Sequence, residues 1–306
     1  MSPDAGVIFF VGIGGIGMSG LAKLLKAEGF RVAGSDQALS EKVRALQKFG
    51  IEVGVPQKAE NLPPDTTRVI CSAAIAENHP ERQEAVRRGL PVQYYAQLLG
   101  EVMAGKYGIA IAGTHGKTST SSLTAWILRH AGLEPSFVVG GDVPCLGGSS
   151  GVGSSQYFVA EACEYRRSFH NLHPKIAVIT NIEEDHLDYY RDLADIVDSF
   201  QQFARQVEPD GLLVIRNDLE SRFTEMVARG QRVVTFGMGQ EAMIVAHHAR
   251  WSRNGWHFSL RHHNRELGAF RLALPGNHNI LNALAAAAVA LELGVEPVTL
   301  AAALES

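Results

Sequence analysis

Short apolar runs alternate with amphipathic stretches along the first hundred residues. The apolar runs are residues 7–12, 31–35 and 68–72, and the amphipathic stretches between them are residues 18–28 and 40–49. Alternation of this kind predicts βαβ units around a parallel sheet. The stretch that follows has the pattern of a strand end, a helix and a glycine-containing connector. We therefore place a domain boundary near Gly105.

A second series of the same kind begins at Tyr107. A helix is predicted at residues 118–131, and an amphipathic helix is predicted at residues 192–207. The strand-like runs are residues 107–113, 136–141, 157–162, 176–182, 211–216 and 232–237. After Gly239 the pattern changes to polar–apolar alternation, which is typical of antiparallel strands. The last part of the chain, from Pro275 onward, again has the pattern of helices.

Composition narrows the class of protein. Hydrophobic residues make up 46% of the 306 residues, the net charge is −4, and the basic residues are scattered. This argues against nucleic acid or membrane as a partner. The three cysteines, Cys71, Cys145 and Cys163, are widely spaced, which fits a reducing compartment better than a disulfide framework or a zinc site. With no leader-like N-terminus, we expect a cytoplasmic protein.

The first candidate site is the sequence GIGGIG at residues 12–17. It follows a predicted strand, opens a predicted helix and fits G-x-G-x-x-G, in which glycines let the backbone approach a diphosphate. Asp36 follows about 20 residues later, where a carboxylate can reach a ribose hydroxyl. The alternative is a tight strand–helix turn that needs glycine for packing. The motif indicates a nucleotide diphosphate without specifying NAD.

The second candidate site is the loop from Gly113 to Thr118, with the sequence GTHGKT. Lys117 can neutralise the β- and γ-phosphates of a nucleotide, and Thr118 can place a hydroxyl on Mg²⁺. The common pattern has a further glycine where this chain has Ile111, yet the backbone amides of residues 114–118 can still form an anion-binding nest. A glycine-rich turn with a surface lysine is the alternative.

A third candidate site combines Glu161 with His186. Each follows an apolar strand, and the carboxyl ends of parallel strands lie at the same edge as the phosphate loop. We expect both side chains to converge on Mg²⁺ beside Thr118. The acidic residues around His186 are expected to be solvated or capping residues. They are Glu183, Glu184, Asp185 and Asp188.

A fourth candidate site lies at a predicted helix N-terminus. His278, Asn279 and Asn282 are close in sequence there, and asparagine amides can bind both donors and acceptors on an adenine edge. Helix capping by Asn277 or Asn279 explains the same residues equally well.

Taken in order, these four motifs resemble those of the Mur ligases of peptidoglycan synthesis. That family's loop is G-T-[HN]-G-K-[ST], which is shorter than the common phosphate loop and matches residues 113–118 without a glycine at Ile111. The segments TNIEEDHLD and HNILN add to the likeness. Within the family, the set is most similar to the branch that joins L-alanine to UDP-N-acetylmuramate. The resemblance runs from about Val7 to the last residue.

The resemblance implies a three-domain enzyme, of which this chain would supply the first two. We expect an α/β fold, with a Rossmann-like UDP-sugar-binding domain at residues 1–105 and a P-loop ATP-binding domain with a small antiparallel sheet at residues 106–306. A domain that binds the amino acid would lie outside this chain. The fragment would bind nucleotides without completing ligation.

The resemblance also implies roles for individual residues, with ATP and Mg²⁺ as cofactors. Lys117, Glu161 and His186 would be catalytic, and Thr118, Glu161 and His186 would hold the metal. The residues that would bind ATP are Gly113, Thr114, His115, Gly116, Lys117, Thr118, Ser119, His278, Asn279 and Asn282. The residues that would bind the UDP-sugar are Gly12, Gly14, Gly15, Ile16, Gly17, Ser35, Asp36, Ser72 and Asn181.

Two positions depart from the family pattern. Several sister ligases carry a carbamylated lysine at a position that aligns roughly with Phe200, on the apolar face of the predicted helix. No carbamate is expected there. The sequence EACEYRRSF also replaces the more frequent E-A-D-E-S, and Cys163 cannot serve as the acidic residue.

Three other functions are compatible with parts of the pattern. A ligase that recycles murein tripeptide onto the same UDP-sugar shares the GTHGKT loop. A nicotinamide-dependent oxidoreductase would explain residues 12–17 and Asp36 but leaves the second phosphate loop without a role. A binding module without activity of its own is the third.

Overall fold

The computed structural model describes residues 6–306, and the chain divides into two compact units. The first unit contains the residues up to Val102 together with Gly140–Val152. The second contains Met103–Val139 and Gly153–Ser306. The chain therefore enters the first unit twice, and no periodic pattern in the glycine- and serine-rich second segment predicts this.

The first unit is built on a parallel sheet of five strands in the order β3-β2-β1-β4-β5. The strands are β1 (Val7–Val11), β2 (Arg31–Ser35), β3 (Glu52–Gly54), β4 (Thr66–Cys71) and β5 (Val92–Tyr94). The strand order reverses between β1 and β4. In open α/β sheets, ligands bind at the carboxyl ends of the strands beside such a reversal. The loop that follows β1 lies at this point, and the predicted Rossmann-like fold is confirmed.

The connections between these strands contain α1 (Ile16–Ala27), α2 (Glu41–Lys48), a 3-10 turn at Ala59–Asn61 and α3 (Pro80–Arg87), and α4 (Tyr95–Ala104) follows β5. Ser40 caps α2, since its hydroxyl accepts a hydrogen bond from the Val43 amide. The second segment of this unit adds a 3-10 turn at Pro144–Leu146 and the two-residue strand β8 (Ser150–Gly151).

The core of the first unit includes a buried thiol. Cys71 ends β4 and packs with Phe9, Val11 and Val69, and it is fully buried. Burial disfavours the thiolate and raises the pKa of Cys71 from its ordinary value of 9.0 to about 11. The folded chain therefore keeps the thiol proton at pH values where the unfolded chain releases it.

Alkaline pH is expected to destabilise the fold through Cys71. Because the folded pKa lies above the unfolded one, the stabilisation is complete below pH 9.0 and falls as the pH rises to about 11, by roughly 3 kcal/mol. Cys71→Val should remove this slope from a urea-unfolding series over that range. Cys145→Val, at an exposed position, is the control and should retain it. An unchanged slope in Cys71→Val would contradict the assignment.

The second unit is built on a long mixed sheet in the order β15-β14-β13-β12-β11-β10-β6-β9-β7. Its strands are β6 (Tyr107–Ala112), β7 (Ser136–Val138), β9 (Tyr157–Glu161), β10 (Ile176–Ile179), β11 (Leu212–Arg216), β12 (Arg232–Gly237), β13 (Ile244–Ser252), β14 (Gly255–His262) and β15 (Arg265–Leu272). The sheet is parallel from β7 to β13. The last three strands, β13 to β15, run antiparallel to one another, as predicted. They continue the same sheet, because β13 pairs in parallel with β12.

The helices of this unit pack on the buried strands. They are α5 (Lys117–His130), α6 (Leu193–Ala204), α7 (Thr224–Ala228), α8 (His278–Glu292) and α9 (Pro297–Glu305), with 3-10 segments at Tyr165–Asn171 and Asn217–Arg222. The predicted amphipathic helix is α6. Its Phe200 is fully buried with its ring edge-on to Phe169, so this position offers no lysine for a carbamate. Among residues 6–306, no helix is long and apolar enough to cross a membrane.

Candidate active site

A glycine-rich loop joins the central strand β6 to α5. Gly113 has φ of 142° and Gly116 has φ of 82°, in the region that favours glycine. A Cβ atom at Gly113 would lie 2.0 Å from Thr180 Oγ1, and one at Gly116 would lie 2.5 Å from Asn282 Oδ1. Backbone conformation and close packing therefore both require glycine here. The loop leads directly into α5, whose first-turn amides can bind an anion.

Two residues that follow β10 brace this loop. Thr180 Oγ1 donates to the His115 carbonyl at 2.6 Å, and Asn181 Nδ2 donates to the same oxygen at 2.8 Å. The His115 amide donates to Asn181 Oδ1 at 2.8 Å. The side chain of Asn181, predicted to bind the UDP-sugar, is thus hydrogen-bonded at both ends to the loop.

Lys117 is held at the mouth of the loop. Its Nζ donates to the Gly113 carbonyl at 2.6 Å and to the Thr114 carbonyl at 3.0 Å, and it pairs with Glu164 Oε1 at 2.9 Å. These contacts use the three donors of an ammonium group. The side chain is only 19% exposed. The Lys117 cation is therefore fixed in one place by groups of the protein itself.

Glu164 is the central acidic residue of the site, and the sequence analysis missed it. It follows β9 and is 2% exposed. Oε1 contacts Lys117 Nζ, and His186 Nε2 lies 3.5 Å from the same oxygen. Oε2 is buried and has no hydrogen-bond partner within residues 6–306. A buried carboxylate oxygen without a partner is costly unless a ligand satisfies it.

The candidate metal ligands differ from the predicted set. The ligand atoms of Glu164, Asp185 and His186 lie within 4.8 Å of one another. Asp185, predicted to be a solvated or capping residue, belongs to this cluster and also accepts a hydrogen bond from the His186 amide at 2.7 Å. Glu161 Oε1 accepts a hydrogen bond from Ser121 Oγ at 3.3 Å. Two carboxylates, one with a buried unsatisfied oxygen, fit a hard divalent cation such as Mg²⁺.

A cavity of about 110 Å³ lies beside the loop and the start of α8. Of the predicted adenine-binding residues, His278 and Asn282 line it. Asn279 instead accepts a hydrogen bond from Asn282 Nδ2 at 2.9 Å and thereby orients that amide. The cavity is also lined by Arg216 and Phe236, which the sequence analysis missed, because single residues in β11 and β12 carry no motif.

The remaining predicted ATP-binding residues lie on the loop and the first turn of α5. Thr118 and Ser119 are half-buried there. Thr114 Oγ1 accepts a hydrogen bond from the Glu183 amide at 2.9 Å, which ties the loop to the turn that carries His186. The side chain of His115 is exposed, and its Nε2 lies 3.8 Å from Glu183 Oε2.

The first unit carries the other predicted site, at residues 12–17. The loop Gly12–Gly15 leads into Ile16 and Gly17 at the start of α1. Asp36 Oδ2 accepts a hydrogen bond from the Gly14 amide at 2.8 Å. The Ser35 carbonyl accepts hydrogen bonds from the amides of Gly12 and Ile13 at 2.9 and 3.0 Å. Asp36 therefore braces the glycine loop from the end of β2.

A buried glutamate fixes Ser35, which was predicted to contact the UDP-sugar. Ser35 Oγ donates to Glu81 Oε2 at 2.5 Å, and both residues are fully buried. Asn61 Nδ2 and the Lys58 amide donate to the other oxygen of Glu81 at 2.9 and 3.1 Å. The Ser35 hydroxyl proton is thus committed to this network. Ser72, after β4, accepts a hydrogen bond from the Ala74 amide.

Comparison with known proteins connects both units to one family. Residues 111–290 match the Mur ligase middle domain, and residues 7–107 match the catalytic domain described for the Mur ligase family. The chain is 41% identical to the UDP-N-acetylmuramate–L-alanine ligase of Caldanaerobacter subterraneus, over 94% of the chain and 63% of that protein. It is 43% identical to the enzyme of the same name from Trichlorobacter lovleyi, with the same coverage of 94% and 63%.

Solved structures give the same result for the fold. The UDP-N-acetylmuramate:L-alanyl-gamma-D-glutamyl-meso-diaminopimelate ligase of Neisseria meningitides superposes with a TM-score of 0.87 at 30% identity, covering 98% of each chain. A UDP-N-acetylmuramate-alanine ligase from Thermotoga maritima gives a TM-score of 0.84 at 30% identity, covering 98% of this chain and 68% of the other. The chain spans about 63% of the length of the first curated relatives that it matches. On these matches of sequence and fold, the chain belongs to the Mur ligase family.

Proposed function

We propose that the protein to which this chain belongs joins L-alanine to UDP-N-acetylmuramate at the expense of ATP, releasing ADP and phosphate. The observation that carries the proposal is the position of Lys117 and Glu164 at the mouth of the loop between β6 and α5. Because the chain spans about 63% of its curated relatives, the complete activity is proposed for the whole protein. The chain itself would supply the ATP and UDP-sugar sites without completing ligation.

Lys117 is the residue proposed to act on the transferring phosphoryl group. The lactyl carboxylate of the sugar attacks the γ-phosphorus, a carboxyl oxygen–phosphorus bond forms, and the bond to ADP breaks. Two anions must meet in this step, so a fixed cation at the loop lowers their repulsion. The amine of L-alanine then attacks the acyl carbon of the acyl phosphate, loses a proton, and phosphate leaves from the tetrahedral intermediate.

The residues proposed to hold Mg²⁺ are Glu164, Asp185 and His186, with Thr118 and Glu161 kept from the sequence prediction. When bound, the ion supplies further positive charge against the phosphate oxygens. His278, Asn282 and Phe236 are proposed to surround the adenine. In the first unit, the glycine loop at residues 12–17 is proposed to bind the UDP diphosphate, with Asp36 bracing it.

Two other activities are less well supported. Murein-tripeptide and alanine-adding ligases give similar TM-scores, 0.87 and 0.84, so the fold does not separate them. The curated relatives at 41% and 43% identity are named L-alanine ligases, which favours alanine. A nicotinamide-dependent oxidoreductase would leave the Lys117–Glu164 pair without a role.

The three free cysteines fit a reducing compartment, and we propose a cytoplasmic location.

Phosphate release by the full-length protein tests this proposal. With ATP, Mg²⁺ and UDP-N-acetylmuramate present, L-alanine should support release at least about tenfold faster than the tripeptide, since a site built for one substrate loses binding energy with another. Release only with the tripeptide would assign the protein to the recycling branch. No release with either amino component would overturn the ligase proposal.

A further inference from the structure

Tyr165 connects the two turns that carry the candidate metal ligands. It directly follows Glu164 in the chain, and its ring centroid lies 4.8 Å from that of His186. Its hydroxyl donates to Asp188 Oδ2 at 3.1 Å. One side chain therefore joins the turn after β9 to the turn after β10.

The polar contacts of His186 are too long to fix its ring. Nε2 lies 3.5 Å from Glu164 Oε1, and Nδ1 lies 3.8 Å from Asp185 Oδ1. Hydrogen bonds to oxygen are shorter than this, so neither contact holds the imidazole in one orientation. The backbone of His186 is well defined, because its carbonyl accepts from the amides of Tyr189 and Tyr190 at 2.9 Å. The ring of Tyr165 is a further contact, and it restricts rotation of the imidazole.

Tyr165 is itself held in place. The Tyr190 hydroxyl donates to the Glu164 carbonyl at 2.5 Å, immediately before Tyr165. Arg166 and Arg167, with φ of 51° and 54°, turn the chain sharply after it. Arg167 donates to Asp195 Oδ1 at 2.8 Å, which anchors this turn to α6. The backbone on both sides of Tyr165 is thus held in place.

Arg166 lies against the same ring. Its guanidinium carbon is 5.4 Å from the centroid of Tyr165, within the range of a cation–π contact. The Tyr165 ring therefore has the Arg166 guanidinium as well as the His186 imidazole beside it.

We propose that Tyr165 is a positioning residue that orients His186 toward Glu164 and so completes the cation site. The inference rests on the proposed function, since it concerns the cation that accompanies ATP. The aromatic ring of Tyr165 lies against His186, whereas its hydroxyl donates to Asp188. Tyr165→Phe should therefore preserve the site, whereas Tyr165→Ser should impair it.

Mn²⁺ binding to the 306-residue chain tests this inference. With a non-hydrolysable ATP analogue present, electron paramagnetic resonance reports free and bound Mn²⁺. Tyr165→Ser should weaken Mn²⁺ binding about tenfold, as loss of a group that orients a ligand does, while Tyr165→Phe should stay within about twofold of the wild type. Binding of the analogue in EDTA should be the same in all three proteins. Should Tyr165→Ser fail to fold, Tyr165→Leu takes its place with the same expected loss.

Tyr157→Ser is the matched control. Tyr157 is a half-buried tyrosine at the opposite end of β9, with its ring edge-on to Tyr107 at 5.3 Å. The Tyr157→Ser substitution should leave Mn²⁺ binding unchanged. The inference is overturned if Tyr165→Ser binds Mn²⁺ like the wild type, if Tyr157→Ser loses as much, or if analogue binding in EDTA falls equally. Failure of the wild type to bind Mn²⁺ with the analogue would instead count against the proposed function.

Discussion

Replacing Lys117 by methionine is expected to weaken binding of an ATP analogue about 100-fold, which corresponds to about 2.7 kcal/mol. Charge-assisted hydrogen bonds to phosphate are stronger than neutral ones, and the protein holds this ammonium at the loop with carbonyl and carboxylate partners. Methionine keeps the length of the side chain and removes its charge. Titration calorimetry on the 306-residue chain measures the effect directly.

The stability of Lys117→Met must be separated from its binding defect. Removing the ammonium leaves Glu164, which is 2% exposed, without its cation, and breaking such a pair costs about 3 kcal/mol or more. The double variant Lys117→Met/Glu164→Gln removes the uncompensated charge. It should recover most of the free energy of unfolding without recovering binding. Wild-type affinity in either variant would contradict the role of Lys117.

Gly113→Ala is expected to abolish detectable binding of the analogue and to lower the free energy of unfolding by about 3 kcal/mol. The new Cβ would lie 2.0 Å from Thr180 Oγ1 and 3.2 Å from the backbone nitrogen of Asn181. Both belong to the brace that shapes the loop, so the clash must displace either the brace or the loop. Calorimetry and urea unfolding together measure the two effects.

Gly132→Ala is the matched control for this substitution. Gly132 follows α5 with φ of 74°, and a Cβ there would meet nothing within 4 Å. The Gly132→Ala substitution should lower the free energy of unfolding by about 1 kcal/mol, because alanine is less stable than glycine in this left-handed conformation, but it introduces no clash. Analogue binding should remain at the wild-type level. Equal losses of binding in both variants would show that close packing at Gly113 is not the cause.

The alternation of apolar and amphipathic stretches was sufficient to predict most of the fold. It predicted the parallel strands β1, β2 and β4 and the helix α6, because each buries a continuous face or stripe. It did not predict that Gly140–Val152 belongs to the first unit. That segment is rich in glycine and serine and has no periodic pattern, so only tertiary contacts define its place.

The candidate site was predicted less completely. The loop with Lys117 has a sequence motif, and so does the turn with His186. Glu164 has none, since it meets Lys117 only through a tertiary contact between residues 47 positions apart in the chain. Sequence patterns likewise did not predict that Arg216 and Phe236 line the cavity, because these residues come together only through the order of the strands in the sheet.

The sequence also did not predict that several candidate binding residues have side chains already hydrogen-bonded to other parts of the protein. The Ser35 hydroxyl is bonded to Glu81, which lies on α3 far along the chain. The Asp36 carboxylate accepts a hydrogen bond from the Gly14 amide, and the Asn181 side chain accepts one from the His115 amide. Sequence spacing places such side chains near a loop, but it does not show that Asp36 and Asn181 hydrogen-bond to the loop itself or that Ser35 is held by a helix.

Titration of UDP-N-acetylmuramate into the 306-residue chain, saturated with Mg²⁺ and a non-hydrolysable ATP analogue, tests the central claim most directly. The claim is that one chain carries an ATP site after β6 and a separate UDP-sugar site after β1. It predicts a single UDP-sugar site per chain that is filled while the analogue stays bound, and no heat from NAD. Binding of NAD without binding of UDP-N-acetylmuramate, or displacement of the analogue by the sugar nucleotide, would contradict it.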